Sequence, residues 1–305
     1  MSGNPFLLIA IVGPTGSGKS ELALRLAQEI GGEIVNYDSV QVYRGLDIGS
    51  AKLPPAERRD IAHHLIDILD INQELTAGAF ARLARPLLYE IAGRGRVPVL
   101  VGGTGFYLRA LLDGLSPFPE RDAELRERLA AVARRRPAAL HRFLQRYDAQ
   151  SAGRIHANDL QKLMRAIEIA GTKRRPPEPL SGFRTFKIGL APDRKQLYAF
   201  LEERSQRMFH NGLVEETAAL LRTGISPRAK PLQTLGYKQA VQILVEGRPR
   251  EAAILECQTR TRQYAKRQFT WFRAEKNVIW LPGFGNNPEI QKAAISSLDN
   301  FEKLP

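Results

Sequence analysis

The chain has 305 residues, 43% of them apolar, which allows one large domain or two modest ones with true cores. A single cysteine, Cys257, excludes an internal disulfide framework and a cysteine-rich zinc site; it suits a reducing compartment, so the cytoplasm is the expected location. The formal charge of +13 is uneven: residues 121–175 and 248–273 together hold the whole excess, which points to a polyanion such as nucleic acid, with solvated helix faces as the plain alternative.

Phe6–Val12 is a short apolar run that reads as a buried parallel strand. It is too short to span a membrane and lacks the basic lead of a signal peptide, so no membrane association is expected. Gly13-Pro-Thr-Gly-Ser-Gly-Lys-Ser20 follows, then an amphipathic helix over 21–30. Strand, glycine-rich loop and helix in that order form an anion trap. The glycines let backbone N–H groups turn inward, the helix end adds partial positive charge and Lys19 adds a full one. The Ser20 hydroxyl is placed to ligate Mg²⁺. A second strand over 33–37 ends at Asp38, a helix is expected over 79–91, and the strand Val97–Val101 runs into Gly102-Gly-Thr-Gly105.

After Pro117 and Pro119 the pattern changes. Basic helices are expected over 122–136 and 138–147, separated at Pro137. A third over 158–170 has Asn158 as its cap, an apolar stripe of Leu160, Leu163, Met164 and Ile167, and Gln161, Arg165 and Glu168 opposite. Residues 117–182 therefore read as a helical insertion. A return strand over 186–190 follows, then helices over 195–210, 214–222 and 250–274 and a last strand at Val278–Leu281; beyond Gly283 the chain reads as peripheral. The expected fold class is α/β: a P-loop-like core (1–116 and 183–305) with a parallel sheet flanked by helices, plus an inserted all-helical domain (117–182).

A phosphate loop does not choose among transferases by itself. Its usual partner is an apolar strand ending in Asp or Glu, but Val97–Val101 ends in glycines and threonine. The carboxylate appears instead at Asp38. Strand ends gather on the ligand side of a parallel sheet, so Asp38, Thr104 and the loop are expected in one cleft. Asp38 there is open between base, metal partner and helix cap. In the last long helix, Arg260, Tyr264, Arg267 and Trp271 share one row and Arg262, Lys266 and Arg273 a neighbouring one, a mixture suited to phosphate contact and base stacking. Trp271 and Phe272 are expected to pack inward. His63-His64, Cys257 and Arg134-Arg-Arg136 read as structural.

Six ordered motifs carry a family resemblance: the phosphate loop, Asn36-Tyr-Asp-Ser-Val-Gln-Val-Tyr-Arg-Gly-Leu-Asp-Ile-Gly49, Gly102-Gly-Thr-Gly-Phe-Tyr107, Gln161-Lys-Leu-Met-Arg-Ala-Ile-Glu168, Leu235-Gly-Tyr-Lys238 and Thr261-Arg-Gln-Tyr-Ala-Lys-Arg-Gln-Phe-Thr-Trp-Phe272. Together they resemble the bacterial tRNA dimethylallyltransferase family. Gly16 departs from the alanine common there, the second loop varies after its Thr, and the zinc finger of eukaryotic relatives is missing.

The resemblance implies transfer of a dimethylallyl group from dimethylallyl diphosphate to N6 of the adenine 3′ to the anticodon, releasing diphosphate. It implies Asp38 as base and Thr104 beside the leaving oxygen. Diphosphate would lie on Gly13, Thr15, Gly16, Ser17, Gly18, Lys19, Ser20 and Arg204, with Mg²⁺ as cofactor; Arg204 is otherwise a helix-surface residue. The tRNA anticodon stem-loop would meet Asp38, Ser39, Val40, Gln41, Thr104, Arg126, Gln161, Lys162, Leu163, Met164, Arg165, Gln233, Gly236, Tyr237, Lys238, Arg262, Gln263, Lys266 and Arg267. Without the resemblance, the segment at Gly236 reads as a turn. A monomer is the default expectation. The rival readings are a P-loop small-molecule kinase, which leaves the basic insertion unexplained, an adenylate dimethylallyltransferase, which needs no such insertion, and a non-catalytic RNA-binding nucleotide sensor, against which Asp38 and Thr104 argue.

Overall fold

Along the chain, β1 (Phe6–Val12) leads into α1 (Lys19–Ile30), β2 (Gly32–Asn36) and a two-residue β3 (His63–His64), followed by α2 (Ala77–Gly93), β4 (Val97–Val101) and α3 (Gly105–Leu112). Next come α4 (Ala123–Arg135), α5 (Ala139–Tyr147), α6 (Ala149–Ala152) and α7 (Leu160–Ile169). The chain returns through β5 (Phe183–Leu190) to α8 (Arg194–His210), α9 (Leu213–Arg222), α10 (Tyr237–Glu246), α11 (Arg250–Arg273), β6 (Val278–Leu281) and α12 (Pro288–Glu302). The structure is a computed structural model that describes residues 5–116, 118–119, 122–136, 138–172 and 175–303. The expected breaks at Pro117 and Pro137 lie outside the described residues.

The chain divides into two compact units, Met1–Asp113 with Pro179–Pro305, and Gly114–Glu178. The first holds a six-stranded parallel sheet in the order β3-β2-β4-β1-β5-β6. Leu8, Ile9, Ala10, Ile11 and Val12 are all fully buried, as a central parallel strand with both faces covered requires. Ile11 pairs with Val101 on one side and Ile188 on the other, and Asn36 pairs with Val101. This register brings the strand ends before Gly13, Asp38 and Gly102 to one edge of the sheet. Among the described residues, no helix is long and apolar enough to cross a membrane.

Two local expectations are corrected. The cap of α7 is Asp159, whose Oδ1 accepts the Lys162 N–H at 3.2 Å; Asn158 lies one residue too early for that bond. Beyond Gly283 the chain is not peripheral. Asn287 caps α12, Pro288 opens it, and Ile290, Ala294 and Leu298 recur every fourth residue to enter the core under the sheet beside α1. The second unit builds its own small core from Leu140, Leu144, Leu163, Met164 and neighbouring alanines.

Candidate active site

The phosphate loop folds over its own lysine. Lys19 Nζ donates to the carbonyls of Gly13 and Pro14 at 2.9 and 2.8 Å. An ammonium has three donors, so one stays uncommitted. Burial pushes the Lys19 pKa down to about 7, with Asp38 opposing the fall and Arg204 adding to it. The N–H groups of Gly16, Gly18, Lys19 and Ser20 meet no described acceptor, as the open first turn of a helix leaves them. Gly18 sits at φ 84°, and a Cβ there would lie 2.8 Å from the Gly285 nitrogen. Gly285 N in turn donates to Ser17 O at 2.8 Å, so the segment after β6 clamps the loop.

Two loop amides are already engaged in the ligand-free fold. The Ser17 hydroxyl is fully buried with no hydrogen-bond partner among the described residues, and the Ser17 N–H donates to Pro14 O at 3.3 Å. The Thr15 N–H donates to Gln268 Oε1 at 2.7 Å. Neither amide is open to a phosphate here, because each already has an acceptor. Ser20 is exposed, while half-buried Arg204 reaches Thr15 Oγ1 with Nη2 at 3.3 Å. Burial lowers the Arg204 pKa.

Asp38 uses one oxygen locally. Its Oδ1 accepts the N–H groups of Val40 at 2.9 Å and Gln41 at 3.4 Å, so the cap-like geometry is present. No described hydrogen bond takes Oδ2. Gly103 makes room for that oxygen: a Cβ there would lie 2.9 Å from Oδ2 and 2.8 Å from Gln268 Nε2. Thr104 bridges to the Asp38 turn. Its hydroxyl accepts the Ser39 N–H and donates to Ser39 Oγ, each at 3.0 Å. It ties the two loops together.

That cleft is a cavity of about 740 Å³ in the first unit. Lys19, Ser20, Asp38, Gln41, Arg204 and Gln268 all line it, with Phe200, Phe284, Leu53 and Val101 as apolar wall. Gln268 carries no sequence assignment, whereas Tyr264 is read there with Arg260, Arg267 and Trp271 as suited to phosphate contact and base stacking. Gln268 Nε2 donates to the Gly103 carbonyl at 2.7 Å, and Tyr264 OH approaches the same carbonyl at 3.5 Å. Thr261, Ala265, Gln268 and Phe272 are the buried face of α11, so a polar residue on that stripe was the signal. Phe272 packs inward as expected; Trp271 is half-buried beside Gly105 with the Arg109 guanidinium 4.3 Å over its ring.

The residues read as RNA contacts separate by exposure. Gln161, Lys162, Gln233, Lys238, Gln263, Lys266 and Arg267 are exposed, and Ser39, Val40 and Gln41 are partly so. Leu163, Met164, Gly236 and Tyr237 are buried. Leu163 and Met164 form the core of the second unit. Tyr237 OH donates to Glu216 Oε1 at 2.5 Å and accepts the Gly49 N–H at 3.1 Å. Arg126 and Arg165 are both paired with the buried Glu168 carboxylate, at 2.9 and 3.1 Å, and Arg262 is paired with Glu202.

Comparison with known proteins adds the context. The model of the IPP transferase family matches residues 41–275. A tRNA dimethylallyltransferase of Solibacter usitatus is 52% identical over 302 residues, covering 96% of this chain and 98% of its own. One from Koribacter versatilis is 50% identical over 293 residues, covering 93% and 95%. The solved tRNA isopentenylpyrophosphate transferase of Bacillus halodurans matches with a TM-score of 0.72 at 36% identity, covering 97% of this chain and 98% of that one. A eukaryotic dimethylallyltransferase solved acting on tRNA matches with a TM-score of 0.83 at 27% identity, covering 98% and 80%.

Proposed function

The chain belongs to the IPP transferase family, and on that premise we propose how its cleft moves a dimethylallyl group from dimethylallyl diphosphate to N6 of the tRNA adenine 3′ to the anticodon. The diphosphate rests on the free N–H groups of Gly16, Gly18, Lys19 and Ser20, with the Lys19 ammonium and Arg204 supplying full charges. As the allylic C–O bond breaks, its electrons stay on the departing oxygen, where these donors stabilise them. N6 forms the new bond to the allylic carbon, and Asp38 Oδ2 accepts the N6 proton. General-base help of this kind is worth about 10²–10⁴-fold. Thr104 holds Ser39 and the Asp38 turn in place.

Mg²⁺ fits the donor set. Among the described residues no cluster of three or more His, Cys, Asp or Glu forms a metal cage, and Mg²⁺ on a diphosphate needs only one or two protein ligands beside its waters. The Ser20 hydroxyl would hold it, and Asp38 lines the same cavity. When bound, the ion neutralises part of the diphosphate charge. The exposed Gln161, Lys162, Gln233, Lys238, Gln263, Lys266 and Arg267 are proposed to meet the tRNA, the first two from the helical insertion over 117–182.

The observation that carries this reading is the meeting of Lys19 and Asp38 on one cavity, without an acidic end on β4. The test offers the protein labelled dimethylallyl diphosphate, Mg²⁺ and unmodified tRNA, beside arms with AMP and with ATP. Label in tRNA alone is expected. Label in AMP, or ATP consumption with unlabelled RNA, overturns the reading.

A further inference from the structure

Helix α5 breaks two local rules on one face. Its core side is set by Leu140 and Leu144, both buried. Beside that stripe runs Phe143 with Tyr147, and beyond it, away from the core, Arg142 with Arg146, each ridge at i, i+4 spacing, and all four residues are exposed. Like charges at i, i+4 destabilise an isolated helix. Neither arginine has an ion-pair partner among the described residues, and α5 itself carries no acidic residue.

The aromatic ridge flanks the core stripe yet stays open to solvent. Phe143 is 44% exposed and Tyr147 70% exposed. Their rings meet with centroids 4.5 Å apart at 31°, which holds both as one platform. The pair presents a joined aromatic surface to solvent where two scattered side chains would need no account. Positions that break local preferences without a packing gain are where function is expected. Here both breaks are relieved by one kind of ligand, which must carry negative charge at its backbone and a flat π-face beside it.

We infer that the Arg142–Arg146 and Phe143–Tyr147 ridges of α5 form a docking platform for unpaired nucleotides of the substrate RNA. A base stacks on the aromatic pair, and its flanking phosphates lie along the arginines. Duplex RNA does not satisfy the platform, because its bases are already stacked. The inference rests on the tRNA reading above and extends it to a helix outside every motif that suggested it.

The test measures binding of unmodified tRNA, and its salt dependence, with two double variants of the full chain. Phe143→Ala with Tyr147→Ala is expected to weaken binding by about 5- to 100-fold with an unchanged salt slope, since one stacked base is lost. Arg142→Gln with Arg146→Gln is expected to lower the slope of log K against log salt by about 1.4, roughly 0.7 per single-strand phosphate. Both sites are exposed, so the melting temperature should hold; one failed double variant still leaves the other as a test. Wild-type tRNA affinity and slope in both double variants overturn the platform while leaving the transferase reading intact. Dissociation of a protein dimer by the aromatic variant at unchanged tRNA affinity overturns it in favour of a second copy. A wild-type protein that binds no tRNA overturns both readings.

Discussion

The Thr15 N–H donates to Gln268 Oε1 at 2.7 Å, so the phosphate loop hangs from a helix more than two hundred residues further on. The same side chain gives its Nε2–H to Gly103 O at 2.7 Å. One buried amide thus spaces the loop that grips phosphate from the loop that borders Asp38. Both ends matter, because an amide accepts at one end and donates at the other. Gln268→Glu keeps the acceptor for Thr15 and loses the donor for Gly103; Gln268→Ala loses both. Each unmet buried partner costs about 1–3 kcal/mol. We expect kcat/KM for the donor to fall about tenfold in the first variant and further in the second, read by steady-state kinetics. Wild-type kinetics in Gln268→Glu would remove the bridge from the argument.

Lys19 should couple diphosphate binding to protonation. Its ordinary value is 10.5, and burial brings it to about 7 in the ligand-free fold. The sign follows directly. Below about 7 the group is charged folded and unfolded; between there and 10.5 the unfolded chain holds one more proton. Stability of the ligand-free protein therefore rises with pH through that window. Thermal melts of wild type against Lys19→Met should show their difference moving in favour of wild type as pH climbs. Diphosphate favours the ammonium, so binding at pH 8 should take up a proton. Calorimetry in buffers of different ionisation enthalpy reads that uptake, and its absence would count against a neutral resting lysine.

Tyr237 and Lys238 are neighbours with opposite roles. Tyr237 is fully buried, and its hydroxyl joins Glu216 to the Gly49 amide. Glu216 Oε2 also accepts the Ile48 N–H at 2.9 Å, so the pair pins the loop before Ser50, and Ser50 and Ala51 line the cavity. Tyr237→Phe should cost about 1–3 kcal/mol of stability, measured in urea, while the folded variant keeps wild-type tRNA affinity and salt slope. Lys238 is exposed. Lys238→Gln should leave stability alone and reduce that slope by about 1. Weaker tRNA binding in a tyrosine variant that stays folded would restore Tyr237 as an RNA contact.

Much of the core was legible because its signals are local. A seven-residue apolar run, a glycine-rich loop and an amphipathic helix leave one reading for β1 and α1. Asp38 and Thr104 were placed by the rule that parallel strand ends converge. What escaped depended on side-chain direction. Gln268 sits in a quoted motif, yet only the burial of Thr261, Ala265 and Phe272 on the same stripe shows that it faces inward. Thr104 is placed near the cleft by its position after β4, but only the structure shows that its hydroxyl bonds twice to Ser39. The end of the chain was missed because Gly283, Gly285 and Pro288 hide the period that begins at Ile290. Leu298 is 1% exposed in the core beneath the sheet, so Leu298→Ala should cost about 2–5 kcal/mol in urea unfolding. A peripheral tail would show almost no change.

Asp38→Asn offers the sharpest division between the two readings of this carboxylate. Oδ1 accepts from Val40 and Gln41, and an asparagine oxygen can accept both bonds unchanged. The turn, the Ser39 position and the fold should therefore survive, with a melting temperature close to wild type. What the substitution removes is the proton-accepting capacity of Oδ2, the oxygen beside Gly103. If Asp38 is the base, single-turnover transfer to tRNA falls by about 10²–10⁴, while tRNA and the diphosphate donor still bind. If the residue is only a cap, transfer continues at the wild-type rate, because every bond the cap makes is still there. Measuring donor affinity, tRNA affinity and the transfer step separately on this one variant distinguishes chemistry from architecture at position 38.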